Sequence, residues 1–190
     1  MAIRLRSAPI VLLLSTLACA RVNVESNKRQ DYDKKLERTL VAFTGMERFG
    51  DDYHRMLRER TIAEFAKRGV TAVFVKVPDR LALDEGPSFD AQAKEVDAST
   101  ALIVYRVAGT IDSLTGQILS AQFDADLFDI ATRKRVWRAA IGYSPGGGFT
   151  TDSDRVDKLV SGIADALTAD GLLAAPAGRA AGAKVKRPID

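Results

Sequence analysis

The residues in this chain whose types could do chemistry are few and scattered: the only cysteine, Cys19, the only histidine, His54, the carboxylates Asp124, Asp126 and Asp129, and a glycine run, Gly146, Gly147 and Gly148, that precedes Phe149. A histidine base needs a partner within hydrogen-bond reach, and the spacing around His54 supplies none. It recurs with Leu57, Arg58, Thr61, Ile62 and Phe65 at helical intervals, which expects a packed helix side. Asp124 and Asp126 alternate with apolar residues and are expected on the wet face of a strand, with Asp129 opening a turn. The glycine and terminal glutamate of a calcium loop are missing there. A glycine run before a helix can cradle phosphate, but the Lys-Ser/Thr ending of a P-loop is absent, and Asp152 and Asp154 would repel an anion. It is expected as a flexible loop open to contact with a partner. Ser144 has no Gly-x-Ser-x-Gly setting. These residues imply no catalytic set, no metal site and no cofactor, and the chain is expected not to be an enzyme.

The elements that must position them read as β-α-β-α-β-β-β-α. A β-rich run at 37–44 gives the first strand. A helix follows over 51–67, capped by Asp51 or Asp52 and stopped by Gly69. Residues 70–77 are almost continuously apolar or β-branched, as a strand covered on both faces requires. A short helix over 89–96 leads to a strand over 101–108. Residues 117–129 alternate, with Leu119, Ala121, Phe123, Ala125 and Leu127 facing one way. Trp137, Ala139, Ile141 and Tyr143 alternate on the return, so the two form a long hairpin with Trp137 in the core. Val156, Leu159, Val160, Ile163, Ala164 and Leu167 draw an apolar stripe along a last helix over 153–168. The fold class is a single α/β domain with a mixed sheet of about five strands and helices packed on it.

The first residues carry an address. Arg4 and Arg6 precede an uncharged run from Ala8 to Ala18 that ends at Cys19, the layout of a signal peptide and too short to span a bilayer, which takes about 20 apolar residues. Ser15-Thr16-Leu17-Ala18 before Cys19 resembles the lipobox of bacterial lipoproteins, with Thr16 where that motif commonly has Leu. The resemblance implies a diacylglycerol on the Cys19 sulfur and cleavage before it. Ala18-Cys19-Ala20 also fits an ordinary signal-peptidase site, which would discard the cysteine and leave a soluble periplasmic protein. Several acyl chains would hold Cys19 firmly, since each buried CH₂ contributes about 0.8 kcal/mol. Ala20 is not the Asp that marks retention in the inner membrane, so the resemblance points to the periplasmic face of the outer membrane.

These divisions give residues 1–18 as signal peptide, 19–36 as lipidated cysteine and flexible tether, 37–173 as the domain and 174–190 as a disordered basic tail. Val22 and Val24 leave room for a short edge strand within the tether. The signal peptide carries Arg4 and Arg6 and the tail a further +3, so of the formal charge of +3 the stretch from Cys19 to Leu173 keeps about −2, and no basic cluster on the domain points to nucleic acid. With one cysteine no internal disulfide forms, and packing alone holds the core.

The element order, with Leu40-Val41-Ala42-Phe43, the approach to the third strand through Glu95-Val96-Asp97-Ala98-Ser99 and the hairpin from Asp129 to Trp137, resembles the curli secretion lipoprotein and the lipoprotein activators of penicillin-binding proteins. These share the architecture of the TolB amino-terminal domain. The resemblance implies a non-enzymatic envelope lipoprotein that binds or supports another envelope protein or assembly. A small-ligand-binding or transport accessory module is the alternative.

Overall fold

The computed structural model describes residues 21–46, 49–75, 89–111, 118–144 and 151–176. Nine elements follow in chain order: β1 (Arg21–Lys28), β2 (Arg38–Thr44), α1 (Asp51–Ala66), β3 (Thr71–Phe74), α2 (Phe89–Glu95), β4 (Thr100–Ile111), β5 (Ile118–Asp129), β6 (Lys134–Ser144) and α3 (Asp152–Ala169). The strands form one mixed sheet in the order β1-β6-β5-β4-β2-β3. β2 runs parallel to both β3 and β4, while β4, β5, β6 and β1 follow as antiparallel neighbours. The expected α/β class and mixed sheet are present, with a sixth strand.

That sixth strand corrects the expected tether. β1 pairs along its whole length with β6, from Arg21 opposite Ser144 to Lys28 opposite Trp137. Val22 and Val24 pack against the core while Asn23 and Glu25 face water. Only alternate residues of an edge strand are covered, so its average composition is polar and looks like a solvated linker. Tyr32 and Leu36, also within 19–36, are buried as well.

Alternation on β2 explains how helices cover both faces of the sheet. Val41 belongs to the main core with α1 and α3 residues such as Leu57, Phe65, Leu159 and Ile163. Leu40 and Ala42 belong to a smaller cluster with Ala93 of α2, Val75 and Ala101. A strand buried on both sides must be continuously apolar, as 40–43 is. Among the described residues only the short α2 packs on the second face, and Asn23, Glu25, Gln122, Arg138 and Ala140 on that face of β1, β5 and β6 are exposed.

α3 follows its apolar stripe, and all six expected residues are buried. Its start is held by a capping box between Thr151 and Asp154. α1 differs from expectation in two respects. Gly50 occupies the cap position without a side-chain bond, and Asp51 and Asp52 lie in the first turn, where they complement the helix dipole. Its buried line is Tyr53, Leu57, Thr61 and Phe65, while Ile62 is exposed. One fully buried guanidinium joins the two long helices: Arg68 donates to Glu64, to Asp165 at 2.7 Å and to Thr168 at 3.2 Å. Both ends of this link are charged or hydrogen-bonded, so the buried cation is not left unpaired.

Candidate functional site

The bare face of the β1–β6–β5 half-sheet is built by the hairpin register. Counting back from Asp129 opposite Lys134 would place Asp126 opposite Trp137. A bulge between Leu127 and Phe128 shifts the pairing by one, so Leu127 meets Trp137 and Asp126 meets Arg138. One extra residue on a strand reverses which side each later side chain faces. The bulge therefore turns Trp137 into the core and sets Arg138 beside the carboxylates on the open side.

There the side chains form a closed set. Arg138 Nη2 lies 2.7 Å from Asp124 Oδ2, and its Nε lies 3.6 Å from Asp126 Oδ1. Arg135 Nη1 reaches Asp126 Oδ2 at 3.3 Å. The Tyr105 hydroxyl donates to Asp124 and Asp126 at 3.4 and 3.3 Å. Burial raises the Tyr105 hydroxyl above its ordinary pKa and the two carboxylates raise it further, which keeps it protonated and donating. Asp126 was expected in solvent; it is buried instead, under the two guanidiniums. Two carboxylates facing two arginines leave little net charge, and both Asp126 oxygens and Asp124 Oδ2 accept from N–H and O–H donors.

Asp129 is also buried. Its Oδ1 accepts from the Thr132 amide and hydroxyl, both at 2.9 Å, and its Oδ2 lies 3.0 Å from Lys34 Nζ. Burial pushes this carboxyl up, but Lys34 and the Thr132 donors outweigh it and hold it below the usual carboxylate range. It ties the β1–β2 connection to the hairpin turn, beside a hollow of about 560 Å³ lined by Tyr32, Lys35 and Ser99.

His54 sits half-buried with Nε2 3.0 Å from the Met46 carbonyl. A carbonyl only accepts, so Nε2 carries the hydrogen. The ring fastens the first turn of α1 to the segment after β2. Trp137 is buried, as expected, and its indole N–H donates to Asp170 at 2.7 Å. Among the described residues no group of three or more His, Cys, Asp or Glu side chains is placed to hold a metal ion, and no helix is long and apolar enough to cross a membrane. Cys19, Gly146, Gly147, Gly148 and Phe149 lie outside the described residues.

A larger hollow, of about 1040 Å³, lies at the end of the sheet where β1 begins and β6 ends. Arg21, Asn23, Gln122, Ser144 and Lys158 line it, with backbone-rich walls at Gly109, Gly142 and Gly162. Nothing in the sequence marked it, because it joins three strand ends and a helix that are far apart along the chain. The Tyr105–Asp126–Arg138 set was missed for a similar reason: a single bulge decides that Arg138 and Asp126 face each other.

The chain matches no protein-family model and no curated protein sequence. Among solved structures, the PelC dodecamer from Paraburkholderia phytofirmans superposes with a TM-score of 0.50 at 15% identity, covering 78% of this chain and 96% of that one. A point variant of the same dodecamer gives the same TM-score and identity over 80% and 99%. Lipoprotein GNA1162 from Neisseria meningitidis reaches a TM-score of 0.41 at 15% identity over 70% and 99%, too distant for an inference. At these identities the likeness to PelC is one of fold: a mixed sheet with helices packed on it, carried over most of both chains.

Proposed function

We propose that this chain is a non-enzymatic lipoprotein of the bacterial envelope. In this role acylated Cys19 holds it at the periplasmic face of the outer membrane, and its α/β domain binds or supports another envelope protein or assembly. The observation that supports this role is the uncovered half-sheet. Strands β1, β6 and β5 present Asn23, Glu25, Gln122, Arg138 and Ala140 to water, and Arg138 there pairs with Asp124 and Asp126. An exposed sheet face without a concave apolar pocket suits contact with another macromolecule better than chemistry on a small substrate. The layout of Met1 to Cys19 supports the anchor, and the resemblance to the curli secretion lipoprotein and the penicillin-binding-protein activators supports work through a partner. PelC, whose fold this chain shares, was solved as a dodecamer, which fits a module acting by contact between chains.

Photocrosslinking from two exposed positions tests the role. A crosslinking side chain at Ala140 on the bare face is expected to give one adduct of defined mass in intact envelopes, and the same group at Glu59 on α1 none. Equal adducts from both positions, or none from Ala140, would contradict it. The accessory-module alternative draws its support from the larger hollow, whose amide and hydroxyl lining would suit a small polar ligand.

A further inference from the structure

We infer that β1 is a docking edge for a second copy of this chain: two β1 strands pair antiparallel about a two-fold axis at Asn23 and join two sheets into one. The inference uses the sheet edge rather than its exposed face, and it stands whether or not Cys19 is acylated.

Backbone parity fixes which groups face outward. β1 is an end strand of the sheet, eight residues long, and it pairs with β6 without a register shift. Just past it the Arg29 amide donates to the Val136 carbonyl at 2.9 Å, and Arg29 continues the register opposite Val136. Opposed residues of an antiparallel pair exchange backbone bonds at every second position. Arg21, Asn23, Glu25 and Asn27 therefore spend their amides and carbonyls on β6, while those of Val22, Val24, Ser26 and Lys28 point to the outer side. Among the described residues no strand pairs there. A long, unbulged edge with free donors and acceptors is a template for another strand. Val22 and Val24 strengthen it, because they pack against the core yet stay only half-buried, and a neighbouring strand would cover them further.

Charge selects a second copy and its register. A pairing that keeps every side chain on its own face joins positions of equal parity. With Asn23 opposite its own copy, Val22 meets Val24 in a hydrogen-bonded pair and Arg21 meets Glu25, each twice by symmetry. Within its own sheet Arg21 stands opposite Ser144 and Glu25 opposite Ala140, and Arg138, diagonal to Glu25 on β6, is held by Asp124 and Asp126. With Val24 opposite its own copy, both charges face amides instead, those of Asn27 and Asn23; one step further, Glu25 faces Glu25. The register centred on Asn23 thus sets opposite charges against each other, which stabilises a strand pair where like charges destabilise it. α3 fits the same axis. It runs along β1, from Gly162 over Val22 and Val24 to Asp170 on Ser26. The two-fold therefore sets the two α3 helices antiparallel, with Gly162, which has no side chain, level with the axis. Lys158 and Asp165, on either side of it, come level with each other's copies rather than with their own.

Disulfide trapping in the full-length chain tests the pairing. A non-hydrogen-bonded antiparallel pair holds its Cα atoms about 4.5 Å apart, within the range of about 4.4–6.8 Å that a disulfide spans. Asn23→Cys should therefore give a covalent dimer on mild oxidation of expressing cells, read by non-reducing electrophoresis. The wild-type chain, whose only cysteine is Cys19, sets the baseline. Glu25→Cys is exposed on the same face, but its two copies would lie about 14 Å apart along the strands, at about 3.4 Å per residue, and should stay at baseline. Arg21→Glu or Glu25→Arg added to Asn23→Cys should cut the dimer yield several-fold, by setting like charges opposite each other, and the two reversals together should restore it. Arg21, Asn23 and Glu25 are all exposed, so these changes leave the core intact. Three results would overturn the pairing: equal dimer from Asn23→Cys and Glu25→Cys; no dimer from Asn23→Cys, as when a strand of a different protein takes the edge; or a yield blind to the charge reversals.

Discussion

The indole N–H of Trp137 and the hydroxyl of Ser26 donate to the same carboxylate oxygen of Asp170, at 2.7 and 2.6 Å. One residue at the end of α3 thus satisfies the core of β6 and pins the edge strand β1. Trp137 is 1% exposed, so its N–H finds no water if that oxygen is lost. Asp170→Ala should cost about 1–3 kcal/mol, the penalty for one buried unsatisfied donor. Asp170→Asn, which keeps an acceptor oxygen, should cost clearly less. Equilibrium denaturation measures both, and an unchanged midpoint for the alanine variant would contradict the account.

The seat of β1 under α3 depends on Gly162. A Cβ there would come within 2.8 Å of Val22 Cγ1, and Val22 is stiff about its χ1. Gly162→Leu should therefore lift β1 from the helix and cost about 1–3 kcal/mol through overpacking. The loss should be local, with faster amide exchange over Arg21–Lys28 and little change on β4. Combining Gly162→Ala with Val22→Ala should restore slow exchange, because the second change makes the room the first one needs.

The buried Asp129 makes stability depend on acid. Burial raises its carboxyl, but Lys34 and the Thr132 donors bring it below the ordinary value of 3.8. A carboxylate with a depressed folded-state pKa contributes stability that is present above the unfolded value and lost as pH falls through the lower folded value. The wild-type chain should therefore lose stability more steeply below about pH 4 than Asp129→Asn does. Parallel unfolding curves from neutral pH down to acid would show whether the slopes differ; identical slopes would remove Asp129 from the cause.

How much of this was legible in the sequence depended on the range of the interactions. α3 was readable because its stripe from Val156 to Leu167 is a local pattern, and the hairpin because Ala121 to Leu127 and Trp137 to Tyr143 alternate locally. β1 was obscured because its stability comes from pairing with β6, more than a hundred residues later, while its own sequence shows two valines among polar residues. For Asp126, alternation gives the face and not the cover, so the sequence points it to solvent while the fold buries it. The arginines over it are brought there by one bulge that no composition signal marks. The buried line of α1 runs through Tyr53, which stacks on Phe49, while His54 beside it is half-buried against the Met46 carbonyl; helical spacing alone does not separate these adjacent positions.

The central claim is the anchor at Cys19, and the mass of the mature amino-terminal peptide tests it most directly. The account predicts a chain that begins at Cys19 and carries acyl groups, and a Cys19→Ala variant that takes up no palmitate and stays as unprocessed precursor. A mature chain that begins at Arg21 without lipid, produced by cleavage after Ala20, would contradict it.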